Sequence, residues 1–329
     1  MKIVIFAGGF GRRLWPISLS TSPKQFEPII GDRSTIQLAV ERVLGQYGAE
    51  NIFISTNERY ADIIRQQLPE IPEQNVIGEP TRRDLAAAVG LALMHLAHVG
   101  TADEPVAILW GDNYMKDVAR FGQVVGTAER LIQQGATKLA FMGESPRFAN
   151  PNLGWIELGE QLGELDGQSY YRFGGLTYRP PQEACERMFA SGNCVWNTGY
   201  FITTIGYVLE AYQKYQPAIW EKLNAIGQTI GTADYTAALN EIYPQIESIS
   251  FDDAILTHLN LDEAFVLHAP MGWSDPGTLY ALKEAINPDP SANVTRGAGA
   301  GGWFAGQLDL QLRTAQIGHG RRAGGDDCH

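Results

Sequence analysis

The chain opens on an apolar run, "KIVIFA" at residues 2–7. Comparable β-rich runs recur at 51–56 ("NIFIST"), 75–80 ("NVIGEP"), 105–112 ("PVAILWGD") and 138–144 ("KLAFMGE"). Between them, residues 34–47, 58–68, 83–98 and 117–134 place apolar side chains at spacings of three and four, the period of a helix with one buried face. Strands that are apolar on both faces and separated by helices predict a parallel sheet covered on both sides. The expected class is therefore α/β, a doubly wound, mostly parallel, Rossmann-like sheet. In such sheets ligands bind beyond the C-terminal strand ends, where residues 8–13 and 111–113 both fall.

The pattern changes after residue 150. "NPNLGWIELG" (150–159) and "SYYRFGGLTY" (169–178) alternate like an antiparallel ribbon. Residues 180–192 predict a helix with Pro at its start and Gly at its end. Residues 195–204 read as a strand, 205–230 as long helical material, 265–270 as a late strand and 277–286 as a helix. We expect one domain over residues 1–286, with antiparallel additions forming a lid or floor over the crevice. Residues 287–329 hold nine glycines in 43 positions with little periodicity. They read as a C-terminal tail, the stub of a shortened or altered element, and a homo-oligomer is compatible with such a tail.

Composition narrows the classes. The chain is 44% apolar and 19% charged, as for an ordinary globular protein. A formal net charge of −12 argues against nucleic acid or an anionic membrane as the main partner. No apolar stretch approaches the roughly 18–20 residues needed to span a bilayer, and the N-terminal run is too short for a secretory leader. Cys185, Cys194 and Cys328 form an odd set without metal-type spacing and read as free thiols of a reducing cytoplasm.

The stretch "AGGFGRRLWP" at 7–16 carries the first candidate chemistry. A P-loop would need Gly-x-x-x-x-Gly-Lys-Ser/Thr, which is absent, and the dinucleotide fingerprint fails because Leu14 stands where its third glycine belongs. A glycine turn at a strand end remains. The bare N–H groups of Ala7, Gly8, Gly9 and Gly11 can meet phosphate there, beside Arg12 and Arg13. Lys24 follows on the proline-stiffened "SPKQF" loop. His95 and His98, at i and i+3, read as one helix face near its C-terminus rather than a metal pair, and Asp252 and Asp253 as a helix N-cap.

The order Gly8-Gly9-x-Gly11-x-Arg13-Leu14-Trp15-Pro16-x-Ser18, then Pro23-Lys24-Gln25-Phe26, resembles the signature of mannose-1-phosphate guanylyltransferases, sugar-nucleotide pyrophosphorylases of the nucleotidyltransferase A fold. The resemblance continues in order through "EPTRRDLAAAVGLAL" (79–93), "LWGDNY" (109–114), "WNTG" (196–199) and "GWSDPG" (272–277). It implies that Asp112 and Asp275 hold Mg²⁺, which prefers a few carboxylates, waters and phosphate oxygens. Taken singly, each is an ordinary turn or capping Asp.

By the same resemblance, Glu79 and Pro80 face the guanine edge, and Gly111 lines the nucleotide with the opening glycines. Asn197 and Gly154 lie against sugar hydroxyls, and Trp196 is as compatible with core as with site. The implied reaction is attack by the phosphate oxygen of a hexose 1-phosphate, such as mannose 1-phosphate, on the α-phosphorus of GTP. Arg13 would stabilise the leaving pyrophosphate, and Lys24 would bridge the α-phosphate and the sugar phosphate. The match frays at Phe10 and Arg12, at Asp84-Leu85, at Asn113, and at Tyr178-Arg179-Pro180, where the family has Glu-Lys-Pro. Arg179 could still hold the sugar phosphate. A non-catalytic sugar-nucleotide-binding regulator is the alternative, although the presence of Arg13, Lys24, Asp112 and Asp275 together speaks for an enzyme.

Overall fold

The computed structural model describes residues 1–9, 23–28, 31–277, 279–287, 289, 294–296 and 308–310. The expectations placed on Phe10, Gly11, Arg12, Arg13 and Cys328, and on most of 287–329, lie outside the described residues. Within that last stretch, β12 (Val294–Arg296) pairs in parallel with β13 (Leu308–Leu310).

Nine strands form one sheet. They are β1 (Lys2–Phe6), β2 (Ile52–Asn57), β3 (Val76–Glu79), β4 (Pro105–Trp110), β6 (Leu139–Glu144), β7 (Gly154–Leu165), β8 (Gln168–Tyr178), β9 (Cys194–Thr204) and β10 (Ala264–Ala269). Their order is β3-β2-β1-β4-β9-β6-β10-β8-β7. The β3-β2-β1-β4 block and the β6–β10 pair are parallel, as the two-sided apolar runs predict. β9 runs antiparallel between β4 and β6, and β7 and β8 form the expected antiparallel ribbon. That ribbon is longer than its alternation suggested. Asp166 and Gly167 turn it, both with positive φ, as a two-residue hairpin that follows strand twist requires. β5 (Tyr114–Met115) and β11 (Trp273–Ser274) make a separate antiparallel pair beyond the end of β4.

Helices cover both faces. α1 (Thr35–Tyr47) and α4 (Val118–Gln133) contribute to an apolar cluster that includes Ile3, Ile5, Ile36 and Val124. α1 starts in a full capping box, with Ser34 and Gln37 bonding reciprocally. On the other face, α3 (Asp84–Val99) packs with α6 (Ile205–Tyr215) and α7 (Pro217–Gly227) over Val4, Phe6 and Ile108. The single helical run expected over 205–230 breaks between α6 and α7, because Pro217 takes the first position of α7 and cannot continue α6. α2 (Ala61–Gln67), α5 (Gln182–Ser191), α8 (Tyr235–Ile242), α9 (Phe251–Ala254) and α10 (Leu279–Ile286) complete the set. The N-cap of α9 is Ser250, whose hydroxyl accepts from Asp253 N, and not Asp252 or Asp253. Both aspartates lie in the first turn, where negative charge favours the helix dipole.

No helix among the described residues is long and apolar enough to cross a membrane. Cys185 and Cys194 are buried free thiols, and His95, half-buried on α3, bonds the Tyr235 hydroxyl at 2.7 Å.

Gly111 follows β4, and its N–H donates to Phe6 O at 2.9 Å. A β-carbon there would sit 2.6 Å from Ile36 Cδ1 and 3.3 Å from both Ile5 Cγ2 and Phe6 O. Gly111 is thus required by close packing under the crevice. Gly111→Ala is expected to lower stability by about 1–3 kcal/mol through overpacking, read by urea denaturation; an unchanged midpoint would contradict this.

Candidate active site

β1 ends at Phe6, and the chain turns through Ala7, Gly8 and Gly9 at the C-terminal edge of the sheet. Ala7 is held from two sides: its N–H donates to Ser55 O at 2.8 Å, and its carbonyl accepts from Thr56 Oγ1 at 3.0 Å. Gln25 Nε2 donates to the carbonyls of Ala7 and Gly9 at 2.9 and 3.0 Å, so the loop carrying Lys24 also braces the glycine turn. With both carbonyls engaged by Gln25, the backbone of this turn is held in place beside the crevice.

A crevice of about 460 Å³ opens over these strand ends. Ala7, Gly8, Gly9, Glu79, Asp112, Gly154, Arg179, Asn197 and Asp275, all singled out in the sequence, line it. Pro80 does not. It lines a neighbouring groove with Asn57, Arg59 and Thr81, and Arg82 borders both hollows. Gly111 lies behind the wall, in the packed contact described above.

Lys24 is not itself part of the crevice lining but joins two carboxylates that are. It opens a short 3₁₀ turn after Pro23, is 6% exposed, and its Nζ lies 2.8 Å from Asp112 Oδ2 and 3.3 Å from Asp275 Oδ1. Burial by itself would lower the lysine pKa, but the charges and hydrogen bonds of Asp112 and Asp275 outweigh it and hold the pKa above its ordinary value. Residues separated by 251 positions therefore meet at one cation.

The loops carrying these aspartates are tied together. Asn113 is buried, its Nδ2 donates to Asp112 Oδ1 at 3.2 Å, and its Oδ1 accepts the Trp273 indole N–H at 3.0 Å. This gives Asn113 a reason to stand where the resembling family carries His. The β5–β11 pair adds Trp273 opposite Met115 and Ser274 opposite Tyr114.

Glu79 marks the other end of the crevice. It ends β3 and is 9% exposed, and the Tyr243 hydroxyl donates to its Oε2 at 2.6 Å. Burial raises its pKa to about 7 against the lowering effects of Tyr243 and Arg82. Tyr243 lies 164 residues downstream, at the start of a 3₁₀ turn directly after α8, so no local pattern could connect it to Glu79.

On the opposite wall, Gly154 faces Asn197 across the β7–β9 pair, and a β-carbon at Gly154 would come within 3.3 Å of Asn197 Cβ. Asn197 Oδ1 accepts from Gly199 N at 2.9 Å, fixing a kink at Gly199, which has positive φ. Trp196 is 1% exposed and packs edge-on against Trp155 and Phe148, so it belongs to the core. At the rim, Tyr178 is 69% exposed with the Arg179 guanidinium 5.0 Å over its ring, and Arg179 adopts φ of 47°. An arginine in that left-handed region carries a backbone cost, and its N–H is held by Leu153 O at 3.2 Å.

The family model described as "Nucleotidyl transferase" matches residues 2–291. The chain is 31% identical over 298 residues to a mannose-1-phosphate guanylyltransferase of Salmonella typhimurium, covering 89% of this chain and 60% of that protein. A putative mannose-1-phosphate guanylyltransferase of Vibrio cholerae is 30% identical over 299 residues, with 89% and 62% covered. The chain thus spans about three fifths of the length of these curated relatives. A solved structure described as a mannose-1-phosphate geranyltransferase of Thermus thermophilus superposes with a TM-score of 0.79 at 25% identity, over 91% of this chain and 82% of that one.

If the two carboxylates hold the Lys24 charge, removing both leaves burial unopposed. Asp112→Asn combined with Asp275→Asn is therefore expected to lower the Lys24 pKa and speed acetylation of this amine relative to other lysines, as followed by peptide mass spectrometry. Unchanged Lys24 reactivity would show that the pair does not set its charge.

Proposed function

The chain belongs to the nucleotidyl transferase family, and from that premise we propose that it transfers GMP from GTP to mannose 1-phosphate or a related hexose 1-phosphate, releasing pyrophosphate. The observation that carries this reading is the buried Lys24 ammonium paired with Asp112 and Asp275, two carboxylates that line the crevice together with the glycine turn. The relatives named above, each described as acting on mannose 1-phosphate, support the choice of substrates.

A sugar phosphate is already an anionic nucleophile, so positioning and charge neutralisation suffice and no activating base is required. Gly8 and Gly9 present backbone to the triphosphate, whereas the Ala7 N–H expected to do so is taken by Ser55 O. The sequence resemblance assigns Gly11, Arg12 and Arg13 to the triphosphate as well, with Arg13 stabilising the leaving pyrophosphate. Lys24 places positive charge at the α-phosphoryl group and the incoming sugar phosphate. Arg179 holds the sugar phosphate from the rim, and Asn197 and Gly154 offer polar and close-approach surfaces to the sugar. Tyr178 replaces a carboxylate with an exposed ring, which favours contact with a sugar face over a hydrogen bond to its hydroxyls.

The donor set fits Mg²⁺. Two carboxylates, each about a third exposed, already converge on one cationic group. Among the described residues no group of three or more His, Cys, Asp or Glu could hold a metal. Mg²⁺ can be held by fewer protein groups, through one or two carboxylates, waters and substrate phosphates. Bound there, Mg²⁺ would supply charge neutralisation at the phosphoryl oxygens; Asp112 and Asp275 would hold it, with Lys24 beside them.

We further assign the base edge to Glu79. An ionised carboxylate accepts from guanine N1–H and the exocyclic amine, groups that adenine lacks in that arrangement. Tyr243 occupies Oε2, while Oε1 lies toward Gly8.

Two measurements test the reading. Pyrophosphate release with GTP and mannose 1-phosphate should exceed release with ATP, UTP or dTTP over a panel of sugar 1-phosphates. Asp112→Asn or Asp275→Asn should lower kcat/KM by about 100-fold or more, the scale of losing one electrostatic stabiliser. Binding of GDP-mannose without turnover for any pair would replace the enzyme with a sugar-nucleotide-binding regulator.

A separate test of the base assignment concerns pH. Glu79 reads guanine only when ionised, so the GTP-to-ATP ratio of kcat/KM should climb as pH rises through about 7. The ratio cancels titration of the triphosphate itself. Glu79→Gln should flatten the climb, and a pH-independent ratio in the unmodified protein would remove Glu79 from base recognition.

A further inference from the structure

Glu144, the last residue of β6, is 2% exposed and lies outside the motifs that carry the family resemblance. Its carboxylate accepts three successive backbone N–H groups from the turn that leads into β11. Met271 and Trp273 donate to Oε2 at 3.0 and 3.1 Å, and Gly272 donates to Oε1 at 3.3 Å. Gly272 has φ of +66°, which curls the backbone so that consecutive N–H groups converge on one anion. The Arg147 guanidinium lies 3.7 Å from Oε1 and donates to Trp273 O at 3.2 Å.

Burying a carboxylate is costly unless its lone pairs are filled, and here three donors and a cation fill them. Burial pushes the Glu144 pKa up, while the three N–H groups and Arg147 pull against that rise. The dependence is mutual. Without the carboxylate, three N–H groups in one turn would lose their acceptor.

The same turn is gripped from the opposite side. The carbonyls of Met271 and Gly272 accept from Asp117 N and Lys116 N at 2.9 and 3.2 Å, and the Trp273 indole donates to Asn113. All of these partners follow Asp112 within five residues. Segment 271–273 is therefore pinned between the end of β6 and the Asp112 loop, and Asp275 emerges two residues later facing Lys24.

We infer that Glu144 is a positioning residue for Asp275: by anchoring the 271–273 turn to the end of β6, it sets where the second carboxylate stands relative to Asp112 and Lys24. The inference rests on the proposed role of Asp112 and Asp275 in the transfer reaction. Glu144 itself touches no substrate atom. A glutamine keeps the shape but offers one acceptor oxygen and turns an amide against backbone N–H groups.

The test is Glu144→Gln, made alone and in an Asp275→Asn background. Alone it should lower kcat by about 10–100-fold, the range seen when a group that orients a metal-binding residue is lost, with KM for the nucleotide nearly unchanged. With Asp275 already neutral, the same change should cost less than about 3-fold, because residues acting as a unit are not additive. Full activity of Glu144→Gln, or the same loss in both backgrounds, overturns the assignment.

A readout independent of turnover is amide hydrogen exchange in the ligand-free protein. It should quicken at residues 271–273 and stay slow along β1; unchanged exchange at 271–273 also overturns the assignment. If the unmodified protein transfers no nucleotide, the proposed reaction fails while exchange still decides whether Glu144 anchors the turn. Should Glu144→Gln not fold, Glu144→Asp, which keeps the charge but shortens the reach to the three N–H groups, is read through the same cycle and the same exchange.

Discussion

The site depends on one buried ammonium held by two acids. Lys24 is almost wholly removed from water, and a buried cation without partners would lose its charge. Asp112 and Asp275 keep that charge in place, and the lysine in turn lets two carboxylates stand close together. Neither arrangement is tolerable without the other. Because the three residues come from the first loop, the end of β4 and the approach to α10, their ion pairing closes the sheet edge. The glycine turn is fastened to the same assembly through Gln25.

Around that centre the scaffold supplies stiffness through backbone contacts. Ala7 is gripped by Ser55 and Thr56, Gly111 is wedged beneath Ile36, and the β5–β11 pair joins the two acidic loops. The departure from the resembling family at Asn113 is explained by its two hydrogen bonds, one donated to Asp112 and one accepted from Trp273. Tyr178 and Arg179 remain the positions where this chain most visibly differs at its rim. Their cation–π contact and the left-handed backbone at Arg179 describe a surface shaped for something other than a carboxylate grip.

Much of this was legible in the residues. Runs such as "KIVIF" and "PVAILW" are apolar on both faces, as strands of a sheet covered on both sides are, and the motif order pointed to Lys24, Asp112 and Asp275, which the structure brings together. What the sequence hid has a common physical cause. The antiparallel insertion of β9 between β4 and β6 is a choice of neighbour, to which strand periodicity is blind. Tyr243 and Glu144 act through long-range hydrogen bonds, one to Glu79 and three from residues 271–273, and a lone polar residue among apolar neighbours carries no spacing to read. The α9 cap was misplaced by two or three residues because Ser250, Asp252 and Asp253 all suit a helix start, and only the backbone shows which hydroxyl accepts. Pro80 was placed with its neighbour Glu79, but adjacent residues leaving a strand point to different sides.

The pairing of Glu79 with Tyr243 divides the crevice between the two helical layers. Tyr243 is packed into the cluster beneath α3, α6 and α7, whereas Phe26 and Trp273, which flank the lysine end, belong to the cluster beneath α1 and α4. The two ends of a bound nucleotide would thus report on separate halves of the interior. Substitutions that loosen the first layer would blur discrimination between bases while leaving phosphate chemistry intact, and those in the second would do the reverse. With Glu79 at the base and Asp112 and Asp275 at the phosphates, as proposed, such a partition would let nucleobase choice change without disturbing the reacting centre.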